Sequence, residues 1–358
     1  MPSDTPNLRI IMAIRRFPGS NSEAAYQALK RQGHSMLPVD EADFFPLAWK
    51  RFGLKAVRKA LQPWLIEELH RDIVERARLY RPHLFLAIKG AFIPARTLQR
   101  LGEMGIVRIN WYPDVSFTVH SRYLPHSLPL YDWVFTTKTF GIKDMREKLG
   151  ITNTSLLLHG YDPEIHRPQD LSEEERHRYG CDASFIGTWS PKKQRYLEQV
   201  VENLPELKLR VWGNQWENAL PGPLEEAIEG TEIIGREYAK AIRASKINIA
   251  ILSERRAGAS SGDLITSRTF HIPASGGFML HERTEEVLEV YEEGEEIACF
   301  DSPEELVQKI RGLVDADQKR EEMTRRGRES CVPAHSLDER VKAVIEKYRE
   351  LGVGRGTE

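Results

Sequence analysis

Apolar runs rich in β-branched residues alternate along the chain with longer stretches whose apolar positions recur at helical spacing. In the first half, the runs predict strands at 8–13, 35–39, 84–88, 107–110 and 133–136. The intervening stretches predict helices at 21–31, 63–79 and 94–104. This alternation is typical of parallel sheets covered by helices on both faces, so it predicts a doubly wound α/β unit.

The same alternation returns after a polar, proline-containing stretch at 159–180, which we interpret as an interdomain connection. Strands are predicted at 183–186, 207–212, 247–252, 278–280 and 296–300, and helices at 192–203, 237–244, 267–274, 285–291 and 303–314. We therefore predict an α/β protein with two doubly wound, Rossmann-like domains, at 1–165 and 166–335, that face one another across a cleft. A final segment follows at 336–358.

The composition narrows the class of protein. Of the 358 residues, 41% are hydrophobic and 29% are charged, as in ordinary globular chains. The 51 basic and 53 acidic side chains leave a net charge of -2, so no global field favours nucleic acid as a partner. No apolar stretch reaches the roughly 18 residues of a membrane span, and the first residues lack the pattern of a signal peptide. A cytoplasmic location is therefore expected.

The cysteines argue against a disulfide framework and a structural metal site. Cys181, Cys299 and Cys331 are odd in number and far apart, and the sequence contains neither a Cys-x-x-Cys motif nor Cys and His at zinc spacing. We therefore predict no bound metal and no cofactor.

Candidate chemistry in the first half lies in loops after predicted strands, because open α/β sheets bind ligands at the carboxyl ends of their strands. Gly19 and Ser20 follow the first strand and open a helix, where an anion can dock; a tight turn with a capped helix is an equal alternative. Asp114 follows the fourth strand beside aromatic residues that could stack on a sugar, and we predict an acid/base or acceptor-orienting role for it. The alternative is an Asx-turn. His120 lies further along the same loop.

In the second half, the loop at Gly187 is followed by a helix start with Lys193 and Arg195. Backbone N–H groups and fixed cations suit a diphosphate, although lysines at a helix start are more often simply solvated. Trp212 and Gly213 repeat this geometry after the next strand, where a base or ribose edge could rest. A core position is an equal alternative for Trp212.

The stretch 260–280 is the most informative. It places Asp263 in a flexible loop, then Arg268 and His271 on one helix face, and then Gly276 before a strand. A histidine at such a position is as often packed in the core as in contact with a ligand.

With these residues, the chain resembles the GT-B glycosyltransferases, in particular the spore-maturation-protein-like group with a glycosyltransferase-family-4-type donor domain. The matching segments are Phe17-Pro18-Gly19-Ser20, Asn110-Trp111-Tyr112-Pro113-Asp114, Tyr131-Asp132-Trp133-Val134-Phe135-Thr136, Phe185-Ile186-Gly187 with Arg195, and Ser267-Arg268-Thr269-Phe270 through Gly277-Phe278-Met279-Leu280. The resemblance implies that the second domain holds a nucleotide-diphosphate sugar and the first holds an acceptor. It also implies a retaining transfer, usually without a metal, and a final helix that packs back on the first domain.

One departure from that family concerns its pair of glutamates, separated by seven intervening residues, which contact the donor sugar and the ribose in retaining members. Asp263 and His271 stand at the corresponding positions here. A neutral imidazole offers one donor and one acceptor where a carboxylate accepts two hydroxyl bonds, so the ribose contact is expected to differ. Lys193, Arg195 and Arg268 remain the candidates to stabilise the leaving diphosphate, with Arg268, Asp114 and His120 as the predicted catalytic residues.

Two other functions stay open: a non-catalytic nucleotide-sugar-binding protein of the same fold, suggested by His271, and a nucleotide-sugar epimerase or hydrolase. The acceptor, whether glycan, protein or small molecule, and the oligomeric state are not determined by the sequence. Weak contact with a membrane surface is a further expectation, and a solvated helix is its more frequent alternative. It depends on the basic stretch formed by Trp49, Lys50, Arg51, Lys55, Arg58 and Lys59.

Overall fold

A computed structural model of the chain describes residues 7–45, 52–119 and 121–353. The chain divides into two compact units. Unit 1 contains the residues up to Leu158, the segment Arg255–Ser261 and the residues from Arg340 onward; unit 2 contains His159–Glu254 and Gly262–Glu339. The main boundaries of the units thus lie at 158/159 and 339/340, against predicted positions of 165 and 335. Unit 1 also includes the short segment Arg255–Ser261, which interrupts unit 2.

The described part of unit 1 forms a six-stranded, fully parallel sheet with the strand order β2-β1-β3-β4-β5-β6. The strands are β1 (Arg9–Ile14), β2 (Ser35–Asp40), β3 (Leu84–Ile88), β4 (Val107–Tyr112), β5 (Trp133–Thr136) and β6 (Thr154–Leu156). Five were predicted. The sixth was missed because its three residues, Thr-Ser-Leu, lie at the sheet edge and form no apolar run.

The helices of unit 1 are α1 (Asn21–Arg31), α2 (Glu41–Phe44), α3 (Phe52–Tyr80), α4 (Ala95–Glu103), α5 (Leu124–Ser127) and α6 (Thr139–Leu149). Helix α3 corrects the prediction that a helix starts at Pro63. Proline is favourable in the first turn of a helix, which led to that start, but Pro63 lies inside α3.

The described part of unit 2 forms a five-stranded parallel sheet with the order β11-β10-β9-β7-β8. Its strands are β7 (Cys181–Ile186), β8 (Leu209–Trp212), β9 (Ser245–Ala250), β10 (Met279–Glu282) and β11 (Ala298–Phe300). All five were predicted, because each carries a buried apolar run.

The helices of unit 2 are α7 (Glu173–Tyr179), α8 (Pro191–Asn203), α9 (Gly235–Ala244), α10 (Arg268–Ala274), α11 (Glu285–Leu288), α12 (Pro303–Leu313) and α13 (Asp317–Cys331). Helix α7 lies within the stretch interpreted as a connection. Ser172 and Glu175 form a reciprocal capping box at its start, a sequence signal that the prediction overlooked. Helix α14 (Leu337–Val353) begins in unit 2 and continues into unit 1, where the Lys347 ammonium lies 4.0 Å from the ring centre of Trp133.

Both sheets are doubly wound, which confirms the predicted fold class. In each sheet the first and third strands of the unit lie side by side, so the direction of winding reverses between them. This switch point lies between β1 and β3 in unit 1 and between β7 and β9 in unit 2. Ligands of open α/β sheets bind outside the carboxyl ends of the strands at such a point.

No helix in the described ranges is long and apolar enough to cross a membrane. The three cysteines are buried and free.

Candidate functional site

The Arg268 side chain spans the switch point of unit 2. From the first residue of α10, its Nη1 donates to the carbonyl of Ile186, the last residue of β7, at 3.3 Å, and its Nη2 donates to the carbonyl of Ile251, just after β9, at 2.6 Å. Its Nε is buried without a hydrogen-bond partner among the described residues. Burial lowers the pKa of Arg268, while the charges of Tyr238, Asp263 and Glu282 oppose that shift. A desolvated cation therefore lies where such sheets bind their ligands.

Lys193 connects the same two strands a second time. This lysine of α8 is only 3% exposed, and its ammonium donates to the carbonyl of Thr188, after β7, at 3.0 Å. It also lies 3.1 Å from the hydroxyl of Ser253, after β9. Because Lys193 and Arg268 are both fixed to these loops, two of the three cations predicted to bind a diphosphate lie on one edge of the sheet.

Two glycines let the loops after β7 and β8 pack against each other. A Cβ on Gly213, whose φ is +137°, would overlap the backbone carbonyl of Gly187. A Cβ on Gly187 would in turn overlap Nη1 of Arg268. The carbonyl of Gly187 accepts a hydrogen bond from the indole of Trp216 at 2.9 Å, which fixes the loop. Both glycines thus have a steric role in packing these loops, and their predicted contact with the donor stays a prediction.

The N-terminus of α8 is not open to an anion in the way the sequence suggested. Ser190 caps the helix through the backbone N–H of Lys193, and a carboxylate oxygen of Glu254 accepts from the N–H of Lys192 at 3.0 Å. Protein oxygens therefore already occupy these donors. Arg195 lies further along α8 and is exposed, so it does not join Arg268 in the contacts described above.

An ion pair that the sequence analysis missed borders this edge. The ammonium of Lys192 lies 2.5 Å from Glu282 Oε1, and Glu282 Oε2 accepts from the backbone N–H of Leu252 at 2.9 Å. Both charged side chains are 17% exposed. Glu282 ends β10, two residues after the apolar run at 278–280, and this position at the end of a strand was the signal that could have identified it.

His271 is buried one turn along α10, and its ring stacks on that of His166 with centroids 3.8 Å apart. His166 accepts a hydrogen bond from the backbone N–H of Asp162 through Nδ1, at 3.0 Å. His271 bonds the backbone of Gly160, and its Nε2 is buried without a partner among the described residues. Burial lowers the pKa of His271 to about 3, so this imidazole is neutral at pH 7.

Three other predicted donor residues have different surroundings. Asp263 is fixed by its backbone N–H, which donates to the carbonyl of Ser253 at 2.9 Å, and its charge acts on Arg268. Trp212 is 3% exposed and packs in a hydrophobic cluster, so its indole is a core group and not a surface for stacking. Gly276 follows α10 with φ +75° and lies before β10, at the amino-terminal edge of the sheet. It is therefore misplaced as a donor contact beside Gly187.

In unit 1, Asp114 and Lys89 form an ion pair of 2.6 Å beyond the ends of the neighbouring strands β4 and β3. Lys89 has a φ of +67°, a left-handed conformation that is uncommon for a lysine. The aromatic residues before Asp114 do not flank it as a sugar platform. Trp111 and Tyr112 are 4% and 1% exposed, and they bond the carbonyls of Leu157 and Ser116.

Gly19 and Ser20 form the tight, capped turn that was the alternative to an anion site. Gly19 has φ +82°, and the hydroxyl of Ser20 accepts from the N–H of Glu23 at 3.1 Å. His120 lies outside the described residues, as do Trp49, Lys50 and Arg51. The side chains of Lys55, Arg58 and Lys59 also fall outside the description, so the expected membrane contact stays untested.

Glu41, at the start of α2, was not predicted as a site residue. It is 8% exposed, and its Oε1 has no hydrogen-bond partner within the described ranges. Burial raises the pKa of this carboxyl to about 7, with the charge of Lys89 opposing the shift. Within residues 7–45, 52–119 and 121–353, no group of three or more His, Cys, Asp or Glu side chains is arranged to hold a metal ion.

Residues 192–346 match a protein family described as "Glycosyl transferase-like". This segment begins in α8 and includes Arg268 and His271. A comparison with curated protein sequences finds no match.

Solved structures similar to the whole chain include glycosyltransferases. A glycosyltransferase from Rickettsia africae aligns with a TM-score of 0.69 at 12% identity, covering 97% of this chain and 99% of that one. Anabaena HepE in complex with UDP and glucose aligns at 0.66 and 10% identity, covering 96% and 100%. Sucrose-phosphate synthase from Thermosynechococcus elongatus aligns at 0.66 and 10%, covering 97% and 100%. The chain therefore has the two-domain α/β fold of these GT-B proteins, with a glycosyltransferase-like segment at residues 192–346.

Proposed function

We propose that the protein transfers a sugar from a nucleotide-diphosphate sugar to an acceptor hydroxyl. The observation that carries this proposal is the position of Arg268, whose guanidinium spans the ends of β7 and β9 and whose buried Nε has no hydrogen-bond partner among the residues that the structure describes. Arginine forms strong, charge-assisted hydrogen bonds with phosphate oxygens. The glycosyltransferase-like match of residues 192–346 and the UDP and glucose in the similar HepE complex support a donor of this class.

Arg268 and Lys193 would stabilise the departing diphosphate. As the bond between the sugar C1 and the diphosphate oxygen breaks, negative charge grows on that oxygen. Cations already held by protein carbonyls need little reorganisation to meet this charge, and burial strengthens the interaction. On this basis we propose that the transfer needs no metal ion. The resemblance to the GT-B glycosyltransferases implies the same.

His271 would contact the ribose of the donor. One ring nitrogen bonds the Gly160 backbone and Nε2 has no partner in the described part of the chain, so the neutral imidazole offers a single hydrogen-bonding atom. That atom would accept from one ribose hydroxyl where the related enzymes use a carboxylate for two. Asp263, whose loop is fixed by Ser253, would lie on the sugar side of the donor.

The acceptor would bind unit 1, with Asp114 orienting its hydroxyl from the ion pair with Lys89. In the retaining reaction that the resemblance implies, the acceptor oxygen bonds to C1 on the face that the diphosphate leaves. The acceptor proton then passes to the departing phosphate oxygen, so the charges and atoms balance without a protein nucleophile.

The proposal is tested by thermal unfolding of the full chain with a panel of nucleotides and nucleotide sugars, followed by turnover of the donor that binds. A ligand at about 100 times its Kd stabilises the fold by roughly 2.7 kcal/mol. Arg268→Lys should lower turnover about 100-fold or more, since a point charge replaces the fork that spans the two strands. Arg311→Ala, which removes an exposed cation from α12 of the same unit, should leave turnover unchanged.

Other outcomes assign other functions. Stabilisation by a nucleotide sugar without turnover would indicate a binding protein, and a sugar epimer as product would indicate an epimerase. Full turnover by Arg268→Lys would remove this residue from the mechanism.

A further inference from the structure

A cavity of about 450 Å³ lies in unit 2 at the amino-terminal edge of the sheet, the edge opposite Arg268. One wall is the chain that enters β9 and β10, including Lys246 and Phe278. The other is a single face of α13, whose lining residues recur at spacings of three and four: Asp317, Arg320, Glu321, Thr324, Arg325 and Arg328. The cavity is large enough for a small organic ligand.

The charge around this cavity is strongly asymmetric. Only two of its lining side chains are acidic, Asp317 and Glu321. The basic ones are Arg243, Lys246, Arg320, Arg325 and Arg328. This concentration contrasts with the nearly balanced charge of the chain, whose net value is -2. A cluster of arginines in a concave site favours a multiply charged anion.

Protein groups already neutralise three of these cations. Lys246 lies 2.8 Å from Asp182. Arg320 pairs with Asp317 and donates to the carbonyl of Val314 at 2.7 Å. Arg325 is paired with two glutamates of its own helix, Glu322 and Glu329.

Arg243 and Arg328 differ from them. The Nε of Arg328 is buried without a hydrogen-bond partner in the described part of the chain, and a buried donor left unpaired is unfavourable. Arg243 is exposed at the rim and also lines an adjoining cavity of about 290 Å³ together with Arg176. No ion pair of its guanidinium with another described residue is found. These two arginines therefore present cationic donors to whatever occupies the cavity.

We propose that this cavity is a second binding site, which takes a small phosphorylated ligand through Arg243 and Arg328. Guanidinium groups match the geometry of phosphate oxygens, and a phosphoryl group would supply the acceptor that Arg328 Nε lacks. The site does not depend on the proposed glycosyl transfer, because none of its residues contacts Arg268, Lys193 or Gly187 in the interactions described above.

The test is equilibrium dialysis of the full chain against labelled inorganic pyrophosphate. Arg243→Ala removes an exposed side chain, and Arg328→Lys keeps the charge but not the Nε donor, so both variants should fold. Each should weaken pyrophosphate binding about tenfold or more. Arg326→Ala is the matched control, because it removes a cation from α13 that pairs with Glu295 and does not line the cavity.

Equal affinity in the wild type and all three variants would place the pyrophosphate elsewhere, including at Arg268, and would overturn the proposal. Failure to bind pyrophosphate at millimolar concentration would overturn it too. Nucleotide-sugar turnover measured on the same preparations separates the two proposals, since Arg243→Ala and Arg328→Lys should retain it whichever way the dialysis falls.

Discussion

His166 and His271 stack face to face, with ring centroids 3.8 Å apart and an interplanar angle of 13°. Tyr238 meets both rings edge-on, at 5.7 and 5.8 Å. Two imidazoles in such contact cannot both be charged at low cost, and burial lowers both pKa values. The stack joins the segment that opens unit 2 to the helix that carries Arg268.

This stack makes the protein sensitive to acid. His271 has a folded-state pKa of about 3 against an ordinary value of 6.5, so the unfolded chain binds the extra proton below pH 6.5. Stability is therefore lost as pH falls from 6.5 toward 3, by about 2 kcal/mol at pH 5 from this residue. His271→Asn should flatten the pH dependence of unfolding between pH 7 and 5, measured by denaturant titration. An unchanged slope would mean that His271 does not titrate with unfolding.

Glu41 should give the folded protein the opposite dependence of stability on pH. Its folded-state pKa of about 7 exceeds the ordinary 4.5, so the folded protein holds the proton more tightly. The resulting stability is fully present below pH 4.5 and is lost as pH rises through 7, by about 3 kcal/mol. Glu41→Gln should raise the Tm at pH 8 and change it little at pH 4.5. Glu75→Gln, at an exposed position of α3, should show no such difference between the two pH values.

Gly187→Ala should impair donor binding more than folding. The added Cβ would overlap Nη1 of Arg268, which can move only by leaving the Ile186 carbonyl. We expect nucleotide-sugar affinity, measured by calorimetry, to fall about tenfold or more. In the matched variant Gly312→Ala the Cβ meets open space in helix α12, and affinity should be retained. Wild-type affinity in Gly187→Ala would show that Arg268 does not hold the donor from its present position.

Asp114→Asn should separate chemistry from donor binding. The amide keeps the size of the carboxylate but not its charge beside Lys89, so turnover should fall about 100-fold. The thermal shift with nucleotide sugar should persist, because the donor residues belong to unit 2. Lys89→Gln, which removes the other charge of the same ion pair, provides the comparison. If both variants lose stability equally and keep turnover, the ion pair is structural.

The sequence alone determined the two parallel sheets, because strands such as Leu84–Ile88 are apolar runs that only a covered sheet can bury. It also indicated Gly187, Lys193 and Arg268 as candidate site residues, because the loops that follow the strands of a parallel sheet lie at its carboxyl edge. Formation of these elements depends on local periodicity, which a single sequence displays. The capping box of Ser172 and Glu175 was equally readable and was overlooked.

Only the tertiary structure decided which side chains face ligand and which face the core. In the sequence, Trp212 and Tyr112 look the same as aromatic residues that are exposed in loops. In the folded protein, packing from distant segments buries them. The stack of His166 on His271, the pairing of Lys192 with Glu282 and the cavity beside Arg328 each join residues that are far apart in the chain. Their positions depend on how helices pack across the sheet, a long-range relationship that local periodicity does not encode.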